Sequence, residues 1–122
     1  MTNSSTPTIT VYGIPNCDSV KKARTWLEQH GLAHAFHDFR KLGVPAEPLQ
    51  QWLAQAGWER VLNRKGTTWR KLDTGVQTAV VDGASAATLM QQQPSVIKRP
   101  VIDWGAGRLT VGYTPDEWPP GA

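Results

Sequence analysis

The run Thr8-Ile9-Thr10-Val11-Tyr12-Gly13-Ile14-Pro15-Asn16-Cys17-Asp18-Ser19-Val20 decides how the rest of the chain is read. Residues 8–12 are rich in β-branched side chains and predict a strand, which Gly13, Pro15 and Asn16 interrupt. After Cys17 the apolar positions Val20, Ala23 and Leu27, with Leu32 beyond Gly31, follow helical spacing, while Lys21, Lys22, Arg24, Glu28 and Gln29 occupy the other face. Gly31 is the expected left-handed stop. The only cysteine of the chain therefore falls at a strand-to-helix turn, with the first free backbone N–H groups of the helix directed towards its sulfur. Helix N-termini carry about half an elementary positive charge, which favours a thiolate over a thiol. A turn flanked by glycine, proline and asparagine is a poor core site, so Cys17 reads as a reactive thiol.

Composition narrows the classes available to such a thiol. At 122 residues the chain is one domain, large enough for a hydrophobic core without staples. A single cysteine excludes an intramolecular disulfide. Residues 1–7 form a polar tail, expected to be disordered, with no charged-then-apolar leader pattern. No apolar run approaches the roughly 20 residues of a membrane span. The expectation is a soluble, cytoplasmic protein without membrane contact, in a compartment that keeps a lone thiol reduced. A net charge of +3 suits anionic small molecules such as glutathione better than nucleic acid, which asks for a denser basic patch. The six tryptophans are dispersed and read as packing residues.

Further along, 33–39 is expected as a second strand with Ala33 and Ala35 inward and Phe36 out of phase. His34 and His37 are weighed as a metal pair on one face of this strand; with no third ligand nearby they read as surface histidines, and no metal is assigned. Residues 40–45 read as a loop, with Pro45 in the first turn of a helix that places Leu49, Trp52, Leu53 and Ala56 on one face and ends at Gly57. Residues 58–62 read as another helical turn. Asn63-Arg64-Lys65-Gly66-Thr67-Thr68-Trp69-Arg70-Lys71-Leu72 is a basic loop and helix start. A helix over 85–93, with Ala86, Leu89 and Met90 inward, stops at Pro94. Residues 97–104 run from a loop into a strand, and a three-residue connection at Gly105-Ala106-Gly107 joins it to a strand over 108–112. Thr114 and Pro115 are the N-cap and first position of a short terminal helix. The order is βαβ, helices, then a β-hairpin. A right-handed βαβ unit joined to an antiparallel pair makes a four-stranded mixed sheet of α/β class, the layout of thioredoxin-like domains, with a helical insertion over 45–93 and a core over 8–118.

Three segments in this order carry a resemblance: residues 12–24 from Tyr12-Gly13-Ile14-Pro15-Asn16-Cys17 onward, the 62–72 run beginning Leu62-Asn63-Arg64-Lys65-Gly66, and Ile97-Lys98-Arg99-Pro100. Together they resemble the arsenate reductase-related (ArsC/Spx) family over about residues 8–118, and within it the small YffB-like branch. The resemblance implies a thioredoxin/glutaredoxin-like domain, Cys17 as the catalytic thiol and Arg99 as an oxyanion or thiol-ligand arginine. It also implies a cis peptide before Pro100, facing the thiol. Asn16, Lys21, Asn63, Arg64, Arg70, Pro100 and Tyr113 are the substrate-binding candidates. Arsenate reductases of this kind set three arginines around the thiolate, because an oxyanion needs several charge-assisted donors. Arg99 matches one of them. Asn63 and Tyr113 stand where the others would be, with Arg64 adjacent to Asn63. Val20 replaces the second cysteine of the Cys-x-x-Cys switch found in Spx-type regulators. The function expected is a glutathione-dependent thiol–disulfide oxidoreductase of monothiol mechanism. Its partners would be glutathione or protein disulfides, with no tightly bound cofactor. The alternatives are an arsenate reductase with a reduced arginine set and a non-enzymatic, RNA polymerase-binding regulator.

Overall fold

The computed structural model describes residues 8–118, so the tail expected over 1–7 lies outside it. Strand β1 (Ile9–Gly13) alternates buried and half-buried positions, as a half-covered central strand does. Helix α1 (Asp18–Gln29) follows and buries Val20, Ala23 and Leu27, the face expected from the spacing. Gly31, at φ +71°, reverses the chain one residue beyond the cap at His30. Strand β2 (His34–Asp38) then pairs in parallel with β1, while β3 (Val101–Gly105) pairs antiparallel on its other side and β4 (Arg108–Val111) closes the order β2-β1-β3-β4. This is the mixed four-stranded α/β sheet that the element order predicts.

Register decides which side chains the sheet buries. Val11 lies opposite Phe36 on β2 and Ile102 on β3, and these flank a core of Ile9, Val11, Ala23, Leu27, Ile102, Trp104 and Trp118 under α1. The strand expected over 33–39 is corrected in phase and length. Ala33 and Ala35 are exposed, and Phe36 packs against the core, because the parallel register sets His34 beside Ile9 and Phe36 beside Val11. A phenyl ring also buries far more apolar area than an alanine methyl. The histidines do not share a face. They are three apart, so His34 meets Arg24 of α1 whereas His37 lies against the Tyr12 ring, centroids 5.1 Å apart. Among the described residues no group of three histidine, cysteine or acidic side chains is placed to hold a metal ion.

The 40–45 loop is also corrected: Phe39–Leu42 forms one helical turn, α2, started by the Asp38 carboxylate, which accepts the Arg40 N–H at 2.8 Å. The described chain divides into two compact units, one running to Lys41 and resuming at Arg99, the other spanning Leu42–Lys98. In the second unit, α3 (Ala46–Ala56) buries Leu49 and Trp52, with Pro45 at its N-cap rather than inside its first turn. The turns α4 (Trp58–Val61), α5 (Thr67–Arg70) and α6 (Thr74–Thr78) follow. The sequence reading missed α6, a five-residue turn with no buried side chain and hence no apolar period. Helix α7 (Gly83–Gln92) begins two residues earlier than expected because Asp82 and Ser85 cap it reciprocally: Asp82 Oδ1 accepts the Ser85 N–H at 2.9 Å, and Ser85 Oγ accepts the Asp82 N–H at 3.1 Å. The hydrogen bond from the Ser85 backbone holds the Asp82 carboxyl below its ordinary range. A 3₁₀ turn at Pro94–Val96 leads to an antiparallel bridge between Leu62 and Ile97.

The hairpin connection has two residues, not three. Gly105 stays in the ladder opposite Arg108, and Ala106 and Gly107 take φ of 54° and 79°. Positive φ at both central positions matches the twist of paired strands. The second strand ends at Val111 rather than 112. The terminal helix is a 3₁₀ turn, Pro115–Glu117, and Thr114 is its N-cap without a side-chain cap bond.

Leu27 is fully buried under β1, so Leu27→Ala should cost about 2–5 kcal/mol of unfolding free energy, read as a lowered urea midpoint. His34 sets a pH dependence. Arg24 Nε donates to His34 Nε2 at 3.2 Å, which requires that nitrogen unprotonated. Burial, opposed by the Leu32 carbonyl and aided by Arg24, holds the imidazole below its ordinary pKa of about 6.5. The unfolded chain then binds that proton more readily, so stability falls as pH drops below about 6.5 and is restored above it. Denaturation midpoints between pH 7.5 and 5 should show a shallower fall for His34→Gln than for the parent chain.

Candidate functional site

Gly13 ends β1 where a β-carbon would lie 2.7 Å from a Val20 methyl, so the backbone of the strand and the first turn of α1 approach with no side chain between them. That contact brings the turn carrying Cys17 down onto the end of the sheet. Cys17 is the N-cap of α1, with extended backbone (φ −136°, ψ 125°) and no side-chain cap bond. The first helical hydrogen bond runs from the Lys21 N–H to the Cys17 carbonyl at 2.9 Å. The N–H groups of Asp18, Ser19 and Val20 precede it and have no acceptor within the helix. Cys17 is half-buried, and its side chain accepts none of these N–H groups, which leaves them as free donors at the head of the helix.

The same end of the sheet carries Arg99 and Pro100. Antiparallel pairing of Tyr12 with Val101 places Pro100, one residue earlier on the chain, beside the end of β1. The Arg99–Pro100 peptide is cis. The Pro100 carbonyl accepts the Gly112 N–H at 2.8 Å, which fixes the start of β3 to the segment that carries Tyr113. Arg99 is half-buried, and no hydrogen bond or ion pair engages its side chain among the described residues. Asn16 is exposed in the bend before Cys17. One residue back from Gly13, burial and the Asp103 carboxylate hold the Tyr12 phenol above its ordinary pKa, so it is a neutral group at physiological pH.

The structure brings Lys21 and Tyr113 together. With Lys22, Thr25, Trp26 and Gln29 they line a depression of about 280 Å³ along α1. Tyr113 sits edge-on to Trp118 at 5.3 Å, and Trp118 packs edge-on to Trp26 at 5.1 Å, so one aromatic cluster forms the wall of the depression and part of the core. Sequence reasoning singled out Lys21 and Tyr113 but not the other four. Thr25 and Gln29 could have been found from the stripe Cys17, Lys21, Thr25, Gln29 at intervals of four, and Lys22 and Trp26 form the adjacent line of the same helix.

Asn63, Arg64 and Arg70 belong to the Leu42–Lys98 unit and are occupied there. The Asn63 N–H bonds the Val96 carbonyl at 2.8 Å, and its side chain closes over Gly66, where a β-carbon would meet the amide at 2.7 Å. Arg64 lies over the Trp58 ring at 5.1 Å and 3.9 Å from Glu59. Arg70 donates Nε and Nη2 to the Lys65 carbonyl at 3.2 and 3.0 Å and so braces the basic turn.

Comparison with known proteins agrees with this architecture. The solved structure of a protein named YFFB superposes with a TM-score of 0.84 at 51% identity, covering 89% of this chain and 94% of that one. An uncharacterised protein of Haemophilus influenzae is 41% identical over 110 residues, 90% of this chain and 95% of that protein. The global transcriptional regulator Spx 1 of Oceanobacillus iheyensis is 28% identical over 116 residues, 89% of this chain and 82% of the regulator. The ArsC family model matches residues 12–119. With its thiol at the head of α1, its cis Arg99–Pro100 peptide and that match over most of its length, the chain belongs to the ArsC family.

Proposed function

We propose that the protein is a glutathione-dependent thiol–disulfide oxidoreductase working through Cys17 alone. The observation that carries this reading is the placement of the one cysteine at the N-cap of α1, half-buried, at the helix end where the first-turn N–H groups have no acceptor within the helix. The Cys17 thiolate attacks one sulfur of a disulfide; a Cys17 mixed disulfide forms and the other sulfur leaves as a thiolate. A second external thiol attacks the mixed disulfide and returns Cys17 to its reduced state. With one cysteine in the chain, the resolving thiol comes from outside. Arg99, without an ion-pair partner among the described residues, is the cation available to an anionic thiol ligand at this end of the sheet.

Arsenate is the poorer substrate on this reading. Two of the three arginine positions hold Asn63 and Tyr113, which bring no charge, and Arg64 and Arg70, which follow Asn63 in the sequence, have local partners. The similarity to Spx regulators favours, as a second reading, a protein that acts by binding the transcription machinery. Such a role would survive loss of the thiol.

Incubation with oxidised glutathione should add one glutathionyl group, seen by intact-protein mass and reversed by a reducing thiol, and Cys17→Ser should show none. Absence of any adduct on the parent chain would remove the oxidoreductase reading, and a cellular role retained by Cys17→Ser would select the regulator. With arsenate and reduced glutathione, arsenite formation should lie on the order of 10²–10⁴ below that of a three-arginine site, because each charge-assisted donor is worth roughly 1.5–3 kcal/mol. Rapid arsenite release abolished by Cys17→Ser would make arsenate the substrate instead.

A further inference from the structure

The depression along α1 begins one helical turn from Cys17 and continues to Gln29. From Lys21 to Gln29 the helix rises about 12 Å, and an extended peptide needs about four residues to follow it. Glutathione, three residues with its sulfur in the middle, reaches only the Lys21 end from a sulfur joined to Cys17. The lining is chemically mixed and suits a peptide. Lys21 and Lys22 present two ammonium groups, Thr25 and Gln29 offer hydrogen-bonding side chains, and Trp26 and Tyr113 supply aromatic surface. Neither acidic residue of α1, Asp18 or Glu28, lines it.

We infer that this groove holds the polypeptide flanking a disulfide-bonded cysteine, with an acidic side chain of that segment at Lys21 and Lys22, so that the preferred disulfide substrate is an acidic protein segment. This rests on the thiol-exchange reading of Cys17 and specifies its substrate. The substrate cysteine, bonded to glutathione, is attacked at one sulfur by the Cys17 thiolate, a Cys17–S bond replaces the S–S bond, and the displaced sulfur leaves as a thiolate. Electrons balance within the exchange. An added small thiol then releases Cys17.

The test uses glutathionylated five-residue peptides that differ only in carrying two glutamates, two glutamines or two lysines beside the cysteine, with deglutathionylation rates measured at low and high salt. The glutamate peptide should react about three- to tenfold faster than the glutamine peptide at low salt, and the lysine peptide slower than both, because exposed ion pairs are individually weak and screened by salt. The double variant Lys21→Glu/Lys22→Glu should reverse that order. Circular dichroism establishes that the variant is folded, and Lys22→Gln alone, an exposed change, should cut the preference by about half. Equal rates for the three peptides in the parent chain overturn the groove assignment and leave Cys17 chemistry standing. A preference that persists unchanged in the folded double variant also overturns it. Failure of every peptide and of oxidised glutathione to react at Cys17 overturns both.

Discussion

The close approach of Val20 to the backbone at Gly13 is the contact on which the candidate site depends. A strand and a helix joined by a short turn can meet at many angles, and a side chain at position 13 would hold them apart. With none there, the first turn of α1 settles on the end of β1, and the residue between them becomes an N-cap beside the sheet. Burial of Val20, Ala23 and Leu27 keeps it there. The thiol is thus positioned by apolar packing, at a helix end whose first backbone N–H groups have no acceptor within the helix.

The second organising feature is the aromatic cluster of Trp26, Trp104, Trp118 and Tyr113. Trp104 stands in β3 and Trp118 follows the last 3₁₀ turn, so the cluster ties α1 to the sheet and to the C-terminal segment. His30 stacks on Trp26 at 3.7 Å. The Trp118 indole N–H and the Thr114 hydroxyl are buried without hydrogen-bond partners among the described residues, while the Glu117 and Trp118 backbone N–H groups close the last turn onto the Thr114 and Pro115 carbonyls. One wall therefore serves two purposes: it completes the core and presents the aromatic side of the depression on α1.

The basic run at 63–71 shows how position changes the meaning of charge. As a sequence it offers arginines for an anion. In the folded unit, Arg70 braces the Lys65 carbonyl and Arg64 rests on Trp58, so much of that charge supports its own turn. Arg99 differs: among the described residues no hydrogen bond or ion pair engages its side chain.

The mixed sheet, the buried face of α1, the stop at Gly31 and the place of Cys17 at the head of its helix are all legible in the chain's local patterns. These rest on local causes: apolar period, β-branched runs, and the conformational freedom of glycine. Arg99 and Pro100 were also legible, through family resemblance rather than through any period. Only the tertiary structure decided the phase of β2, since Phe36 turns inward because parallel pairing sets it beside Val11, a partner 25 positions away. It alone started α7 at the Asp82–Ser85 cap and shortened the hairpin connection to Ala106 and Gly107, whereas the separation of His34 from His37 already follows from their spacing of three on a strand. The groove on α1 needed it most. Its helical residues lie on two adjacent sequence stripes, but Tyr113 reaches them from the far end of the chain, through ring contacts that no local pattern encodes.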